Sequence, residues 1–338
     1  MTKVFYTNTK TSDYTEISKI ARSMLEKIIL EYDLKLNQFV PIKVHFGEKG
    51  NETYIPSVAY EGIIDLLLEK KIETAFIETN VLYRGSRTQR SSHIILAKEH
   101  GFTRLPIIIA DGEIGENYQE ILINKKYFQK CKIGQEFAKY DQILVCSHFK
   151  GHILSGFGGA LKQLGMGFAA RGGKLAQHSH FLPSVNHSRC TACGKCVSKC
   201  GVDAISLKPK AFIDKKLCVG CAGCIAVCPV GAINHDWEGI NFCEKLAEYA
   251  FAASLNKKNI YLNFLSNITQ ECDCMGQKMK LIAENVGVLA SLDPVALDTA
   301  SLDLLQASSK EKLFENGRRC LDYAEEIGIG EKKYMITQ

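Results

Sequence analysis

The sequence predicts an α/β protein with a mainly parallel sheet and flanking helices, interrupted by a smaller α+β insertion that is rich in cysteine. Short apolar runs alternate with helical patterns along most of the 338 residues, and such alternation favours parallel strands joined by right-handed crossovers. Between these patterns, two cysteine runs of the same spacing follow one another. The predicted parts are residues 1–186, an insert at 187–237, and residues 238–338.

The short apolar runs predict the strands of this sheet. They are Val4–Thr7, Ile42–Phe46, Thr74–Glu78, Ile107–Ala110, Gln142–Cys146, Ile260–Leu265 and Val286–Ser291. The segments with helical periodicity are Asp13–Leu30, Ser57–Lys70, Arg90–His100, Gly158–Gln163, Ile240–Leu255, Pro294–Leu305 and Arg318–Ile327. Ligands of open α/β sheets bind beyond the carboxyl ends of strands, so the polar loops that follow these strands are the predicted location of a site.

Eight cysteines form two runs of the pattern Cys-x2-Cys-x2-Cys-x3-Cys. This pattern is that of bacterial-type ferredoxins, in which three cysteines of a run bind one [4Fe–4S] cluster and the fourth binds the other cluster. We therefore predict a 2[4Fe–4S] ferredoxin-like insert. One cluster is bound by Cys190, Cys193, Cys196 and Cys228, and the second by Cys218, Cys221, Cys224 and Cys200.

Two other uses of these cysteines fit the sequence less well. A disulfide framework belongs to exported proteins, and the N-terminus has no apolar signal core. Paired zinc ribbons use separated Cys-x2-Cys pairs rather than runs of four closely spaced cysteines. Small residues between the cysteines allow a tight loop around a cluster, although Gly201 stands where ferredoxin runs usually have proline. We expect this glycine to loosen the turn without preventing ligation.

Composition limits the partners of the protein. A net charge of +5 is too small to indicate nucleic-acid binding, and the only long charge-free run contains four cysteines, so no membrane span is predicted. We expect a cytoplasmic protein. Residues 187–236 carry seven Lys or Arg against three Asp, which could attract an acidic redox partner of the ferredoxin or flavodoxin type. An ordinary solvated face would have the same composition.

Candidate site residues in the α/β part follow two of the predicted strands. His148, Lys150 and His152 come directly after the fifth strand, and this density of polar groups predicts catalytic residues, with the lysine able to stabilise negative charge. Cys272 and Cys274 form a short pair that suits a soft metal or a redox reaction, or simple burial. We therefore predict, besides the clusters, a further metal or a small anionic ligand.

Two more groups of polar residues are open to a functional or a structural role. Arg84, Arg87 and Arg90 follow the third strand and could bind a carboxylate or phosphate, or form an exposed basic loop. His178 and His180 precede the insert, either as site residues or as a polar lead-in.

Two local motifs have structural explanations. Gly156-x-Gly158-Gly159 lacks the third spaced glycine and the acidic partner of a dinucleotide site, although glycines that open a helix can still bind an anion. Asp293 before Pro294 predicts a helix N-cap with proline at the first helical position, which is compatible with a ligand-facing carboxylate.

Motifs spread over most of the chain resemble those of the domain-of-unknown-function family 362, in the branch that carries a two-cluster ferredoxin-like insert. They are Lys43–Glu48, Glu78–Gly85, Ala110–Gly112, Lys150–Gly167, Cys272–Gly276 and Ser291–Asp298. The resemblance implies an α/β domain with bound [4Fe–4S] clusters and leaves the reaction open.

The favoured function is an iron–sulfur oxidoreductase, in which electrons pass through the two clusters to a small-molecule substrate or metal in the α/β domain. That domain is far larger than electron carriage alone requires. One alternative is a non-enzymatic electron-transfer adaptor, which predicts an α/β domain without an enclosed polar pocket. Another is an iron–sulfur or metal assembly factor, which predicts labile metal at Cys272 and Cys274.

Overall fold

The structure, a computed structural model, describes residues 1–179, 182–235 and 239–337. The strands are β1 Thr2–Asn8, β2 Ile42–Lys43, β3 Phe76–Glu78, β4 Ile107–Ile109, β5 Tyr118–Leu122, β6 Lys130–Gly134, β7 Leu144–His148, β8 Lys150–His152, β9 Gly156–Gly158, β10 Ser184–Val185, β11 Ile205–Leu207, β12 Ala211–Ile213, β13 Ile233–Asn234, β14 Ile260–Leu265, β15 Gly287–Ser291 and β16 Tyr334–Thr337. The helices are α1 Tyr14–Glu31, α2 Glu61–Glu69, α3 Arg90–Glu99, α4 Ala160–Gly165, α5 Arg171–His178, α6 Lys195–Ser198, α7 Gly223–Val227, α8 Phe242–Ser254, α9 Pro294–Ser308 and α10 Arg318–Glu326.

An eight-stranded sheet organises the chain, in the order β16-β1-β15-β14-β7-β2-β3-β4. Neighbouring strands are parallel except where β15 lies antiparallel between β1 and β14. The chain passes from β14 to β15 through residues 266–286, which form no helix, so it returns antiparallel without a crossover. The predicted mainly parallel α/β fold is therefore confirmed.

Apolar side chains cover both faces of the sheet. On β7, Leu144 and Cys146 belong to the core beneath α1 and α2, whereas Val145 belongs to the core beneath α8 and α9. All six residues of β14 are buried, as expected for a strand with a core on each side. Within the described ranges, every helix is too short or too polar to cross a membrane.

The seven predicted strands and seven predicted helices all occur, and most of them have different bounds from those predicted. The strand predicted at Ile42–Phe46 ends at Lys43, because the chain then leaves the sheet and the Glu48 amide donates to the carbonyl of Asp273 at 3.0 Å. His148, predicted in a loop, is the last residue of β7, and Lys150–His152 form β8 of a hairpin with β9.

The sequence did not predict the β5–β6 hairpin, the β8–β9 hairpin, the edge strand β16 or helix α5. Two glycines lower the helix propensity of α5. They are required by close packing, because a Cβ on Gly172 would lie 2.8 Å from the carbonyl oxygen of Gly220, and one on Gly173 would lie 2.6 Å from that of Lys132.

The cysteine-rich segment consists of two similar halves. Helices α6 and α7 begin at equivalent positions, and β11 and β13 follow them at equivalent positions. Left-handed backbone occurs in three matched pairs, which are Ala192 and Gly220, Gly194 and Ala222, and Asp203 and Gly231. β10 pairs with β13 and β11 with β12, around a small apolar core that includes Ile205, Ile213 and Ile233. The predicted boundary at 237/238 lies outside the described residues.

Asp293 caps α9, as predicted. Its Oδ1 accepts from the amides of Val295 at 2.8 Å and Ala296 at 3.0 Å, and its Oδ2 accepts from the amide of Glu331 at 2.8 Å. We expect Asp293→Ala to lower the free energy of unfolding by about 1–2 kcal/mol, the usual loss for a helix cap. Denaturant titration under anaerobic conditions measures this, with Asp293→Asn as the control that keeps a capping oxygen. Equal stability of the alanine variant and the native protein would contradict the prediction.

Candidate functional site

A cavity of about 780 Å³ opens at the carboxyl ends of the central strands. Its walls come from the segments that follow β2, β3, β7 and β14, and we call it the α/β pocket. The volume lies in the range of about 300–1,000 Å³ that is typical of small-molecule sites. The five residues proposed as site candidates on both sides of the insert all line it, namely His148, Lys150, His152, Cys272 and Cys274.

Asp273 anchors this group from behind the pocket wall. The carboxylate is fully buried and accepts from His148 Nδ1 at 2.9 Å and from Lys150 Nζ at 3.0 Å. Burial alone would raise the pKa of Asp273, but His148 and Lys150 hold it well below its ordinary value. The loop with the two cysteines is therefore fixed to β7 and β8 by buried charge.

Both ring nitrogens of His148 lie within hydrogen-bond distance of buried oxygen atoms. Nδ1 faces the Asp273 carboxylate, and Nε2 lies 2.7 Å from the carbonyl oxygen of Ser266. Both partners are hydrogen-bond acceptors, so both ring nitrogens are engaged within the protein. In this arrangement the ring has no free nitrogen for a bound substrate.

His152 has one nitrogen engaged. Its Nδ1 accepts from the Ser155 amide at 3.1 Å, and its ring stacks on Phe242 with 5.8 Å between centroids. Burial, reinforced by the charge of Lys162, lowers the pKa of His152 well below its ordinary value. The ring is therefore neutral at pH 7, and its Nδ1 also lies 2.8 Å from the Ser155 hydroxyl oxygen.

The Cys272 and Cys274 sulfurs lie 3.3 Å apart. Their mutual hydrogen bond, together with Lys162 and Lys150, lowers the pKa of Cys272 well below its ordinary value. The same hydrogen bond and burial raise the pKa of Cys274. The surrounding positive charge therefore favours the thiolate of this pair on Cys272.

Four further residues of the pocket lining lie around this pair, and the sequence did not predict them as one group. They are His45, Glu48, Arg87 and Lys162. Lys162 Nζ lies 3.0 Å from the Cys272 sulfur. Arg87 is buried, with Nη1 2.9 Å from His45 Nε2, Nη2 3.5 Å from the Cys274 sulfur, and Nε 3.4 Å from the Glu48 carboxylate. Their sequence spacing does not connect them as one site, because Lys162, Arg87 and the two residues His45 and Glu48 come from three different segments of the fold.

The other candidates are separated. Arg84 donates through Nη2 to the Pro229 carbonyl oxygen at 2.8 Å and lines the pocket, whereas Arg90 is exposed on α3. His178 lines the pocket, and His180 lies outside the described residues. The three arginines therefore do not form one anion clamp.

The glycines at 156–159 form neither a dinucleotide site nor an anion site. Gly156–Gly158 is strand β9, and the amides of Ala160 and Leu161 that open α4 donate to the Asp298 carboxylate at 2.7 and 2.9 Å. A Cβ on Gly159 would lie 2.3 Å from that carboxylate. The glycine therefore makes room for Asp298, which occupies the helix N-terminus.

Two small cavities lie in the cysteine-rich segment, and we call them the first and second cysteine cavities. The first is lined by Cys190, Cys193, Cys196 and Cys228, and the second by Cys200, Cys218, Cys221 and Cys224. The last cysteine of each run also accepts an amide hydrogen bond at 3.2 Å, from Ala204 to Cys200 and from Ala232 to Cys228. Each cavity thus combines three cysteines of one run with the last cysteine of the other.

The second cysteine cavity adjoins the α/β pocket. Ala222 lines that cavity and packs in one apolar cluster with Leu82 and Leu175, and Leu82 lines the pocket. The Arg84–Pro229 hydrogen bond makes a further connection, next to Cys228 of the first cavity. The loop after β3 therefore lies between the cysteines and the pocket.

The chain is similar to one protein family in sequence and to two solved structures in fold. The family model described as Domain of unknown function (DUF362) matches residues 40–303. No curated protein matches in a sequence search. A solved structure from Thermotoga maritima has a TM-score of 0.45 at 12% identity and covers 95% of this chain and 60% of its own. The lactate racemase apoprotein from Thermoanaerobacterium thermosaccharolyticum has a TM-score of 0.37 at 14% identity, with 78% and 50% covered. This chain spans less than two thirds of either structure.

Proposed function

This chain belongs to the family described as Domain of unknown function (DUF362), and we propose that within it the protein is an iron–sulfur oxidoreductase. Two [4Fe–4S] clusters in the insert at 187–237 would deliver electrons to a small-molecule substrate in the α/β pocket, between the parts 1–186 and 238–338. The observation that carries this proposal is the composition of the two cysteine cavities, each with four cysteines drawn three and one from the two runs.

The surroundings of the cysteines suit a cluster. Cys190, Cys193, Cys196 and Cys228 would hold one, and Cys200, Cys218, Cys221 and Cys224 the other. The amide hydrogen bonds to the sulfurs of Cys200 and Cys228 would stabilise thiolate charge and influence the reduction potential.

A bound [4Fe–4S] cluster supplies one-electron transfer at a potential set by its charge, hydrogen bonds and exposure. An apolar cluster that includes Leu82 and Ala222 connects the lining of the second cysteine cavity with the lining of the α/β pocket. This cluster would exclude water while keeping the donor and the acceptor close. In the pocket, Lys162 and Lys150 provide positive charge where a reduced substrate gains negative charge.

The pocket favours this function over the electron-transfer adaptor. An adaptor has no use for a cavity of about 780 Å³ lined by two cysteines and several buried cations. We further propose that an acidic redox protein of the ferredoxin or flavodoxin type docks on the insert, where Lys195, Lys199, Lys208, Lys215 and Lys216 are exposed.

Anaerobic purification followed by iron and sulfide analysis tests the proposal. We expect about eight iron and about eight sulfide per chain, since each of two clusters contributes four of each. Zinc in place of iron, or about four iron per chain, would overturn it.

A further inference from the structure

We propose that Cys272 and Cys274 are a redox-active pair that alternates between a disulfide and a thiolate–thiol state and exchanges with an anionic small-molecule disulfide in the α/β pocket. The proposal that the two cysteines form a redox pair is argued from their geometry alone. The reduction of their disulfide rests on the proposed function, in which the two clusters are the one-electron donors.

The geometry brings two sulfurs together at the wall of the pocket. They lie 3.3 Å apart, so a rotation that closes about 1.2 Å brings them to the disulfide bond length of about 2.05 Å. Both cysteines line the pocket. Asp273 between them is turned away from the cavity and pinned by His148 and Lys150. The anchor fixes the loop while both cysteines line the space where a substrate would bind.

The charges around the pair suit a thiolate better than a metal ion. Lys162 Nζ lies 3.0 Å from the Cys272 sulfur, and Arg87 Nη2 lies 3.5 Å from the Cys274 sulfur. Arg87 Nη1 also lies 2.9 Å from Nε2 of His45, and this nitrogen lies 3.5 Å from the Cys274 sulfur. A divalent cation would have to enter between these positive groups and displace their hydrogen bonds, which Coulomb repulsion opposes.

The reaction balances with groups present in the pocket. The Cys272 thiolate attacks one sulfur of the bound disulfide, forms a mixed disulfide and releases the first thiolate. Cys274 then attacks the Cys272 sulfur, passes its proton to that thiolate, releases the second thiolate and closes the Cys272–Cys274 disulfide. Two electrons, delivered singly by one-electron carriers, and one proton restore the Cys272 thiolate and the Cys274 thiol.

The rest of the pocket selects the class of substrate. Lys49 and Arg84 are exposed cations of its lining, where they can bind a carboxylate or phosphate of the substrate. Val81, Leu154 and Met166 add an apolar wall. The combination suits a small disulfide with acidic groups and an uncharged body.

Equilibration with glutathione and glutathione disulfide, followed by alkylation and peptide mapping, tests the pair without using the clusters. In the native protein we expect an oxidised buffer to produce a Cys272–Cys274 disulfide, with the loss of two alkylatable thiols. Cys274→Ser should instead accumulate glutathione on Cys272, and Cys272→Ser should form neither product. The matched control is Cys131→Ser, a fully buried cysteine outside the pocket, which should behave as the native protein does.

The variant Lys162→Met tests whether Lys162 activates the Cys272 thiolate or only lies beside it. Loss of the ammonium contact should raise the pKa of Cys272, and at pH values below that pKa each unit of pH lowers the thiolate fraction about tenfold. We expect the pH profile of glutathione exchange to move to higher pH by about one unit, with equal rates at high pH, where both proteins are fully ionised at Cys272. A pH profile identical to that of the native protein would overturn the role of Lys162 and the thiolate assignment.

Two outcomes distinguish this inference from the proposed function. If the pair stays reduced in oxidised buffer, or if metal analysis finds an ion that Cys272→Ser removes, the redox pair is overturned even when the clusters are present. If the disulfide forms in protein that holds no cluster, the pair stands and the cluster proposal fails.

Discussion

Replacing Cys200 with alanine is expected to remove the same cluster as replacing Cys221, and to spare the cluster bound by Cys193. The reason is that Cys200 and Cys221 line the second cysteine cavity, whereas Cys193 lines the first. Iron should fall from about eight to about four atoms per chain in each variant. The electron paramagnetic resonance spectra of the reduced variants should fall into two classes, with Cys200→Ala and Cys221→Ala in one class.

The grouping of these spectra matters more than the loss of iron. If Cys200→Ala gives the residual spectrum of Cys193→Ala, each run binds its own cluster and the crossed ligation is wrong. The retained cluster reports that the segment still folds, so a folding defect would be recognised by the loss of both signals. Cys131→Ser is the control, because this buried cysteine lies outside both cavities and should keep all the iron.

The fold could be predicted where burial leaves a simple pattern. β14 is buried on both faces, so Ile260–Leu265 forms a continuous apolar run, and its bounds were predicted as the structure has them. α5 could not be predicted, because Gly172 and Gly173 suit contacts with distant backbone rather than helix propensity. The antiparallel direction of β15 was also missed, since direction depends on the connection and not on the strand.

The candidate site was predictable in part for a similar reason. Residues at the carboxyl ends of neighbouring parallel strands meet, so His148, Lys150 and Cys272 lie in one pocket although the insert separates them in sequence. Asp273 was not predicted as a site residue, because a single carboxylate between two cysteines forms no recognisable motif. Lys162 was missed because its contact with Cys272 depends on the packing of α4 against the sheet.

Asp273→Asn is expected to destabilise the protein by about 3–5 kcal/mol, the usual cost of removing one partner from a buried charge pair. Asparagine keeps the shape of the side chain but leaves the His148 ring and the Lys150 ammonium without the carboxylate that faces them at 2.9 and 3.0 Å. Anaerobic urea unfolding followed by far-ultraviolet circular dichroism measures the change. Asp33→Asn is the matched control, because Asp33 is exposed and its left-handed backbone also suits asparagine.

The dependence of this loss on pH identifies its cause. The folded-state pKa of Asp273 is depressed, so its carboxylate contributes full stability above the unfolded-state pKa of about 3.9, and that contribution disappears as the pH falls towards the folded-state pKa. The difference between the native protein and Asp273→Asn should therefore be constant near neutral pH and shrink below about pH 4. A difference that stays unchanged on acidification would mean that the asparagine disturbs packing, and that the buried charges do not hold the cysteine loop in place.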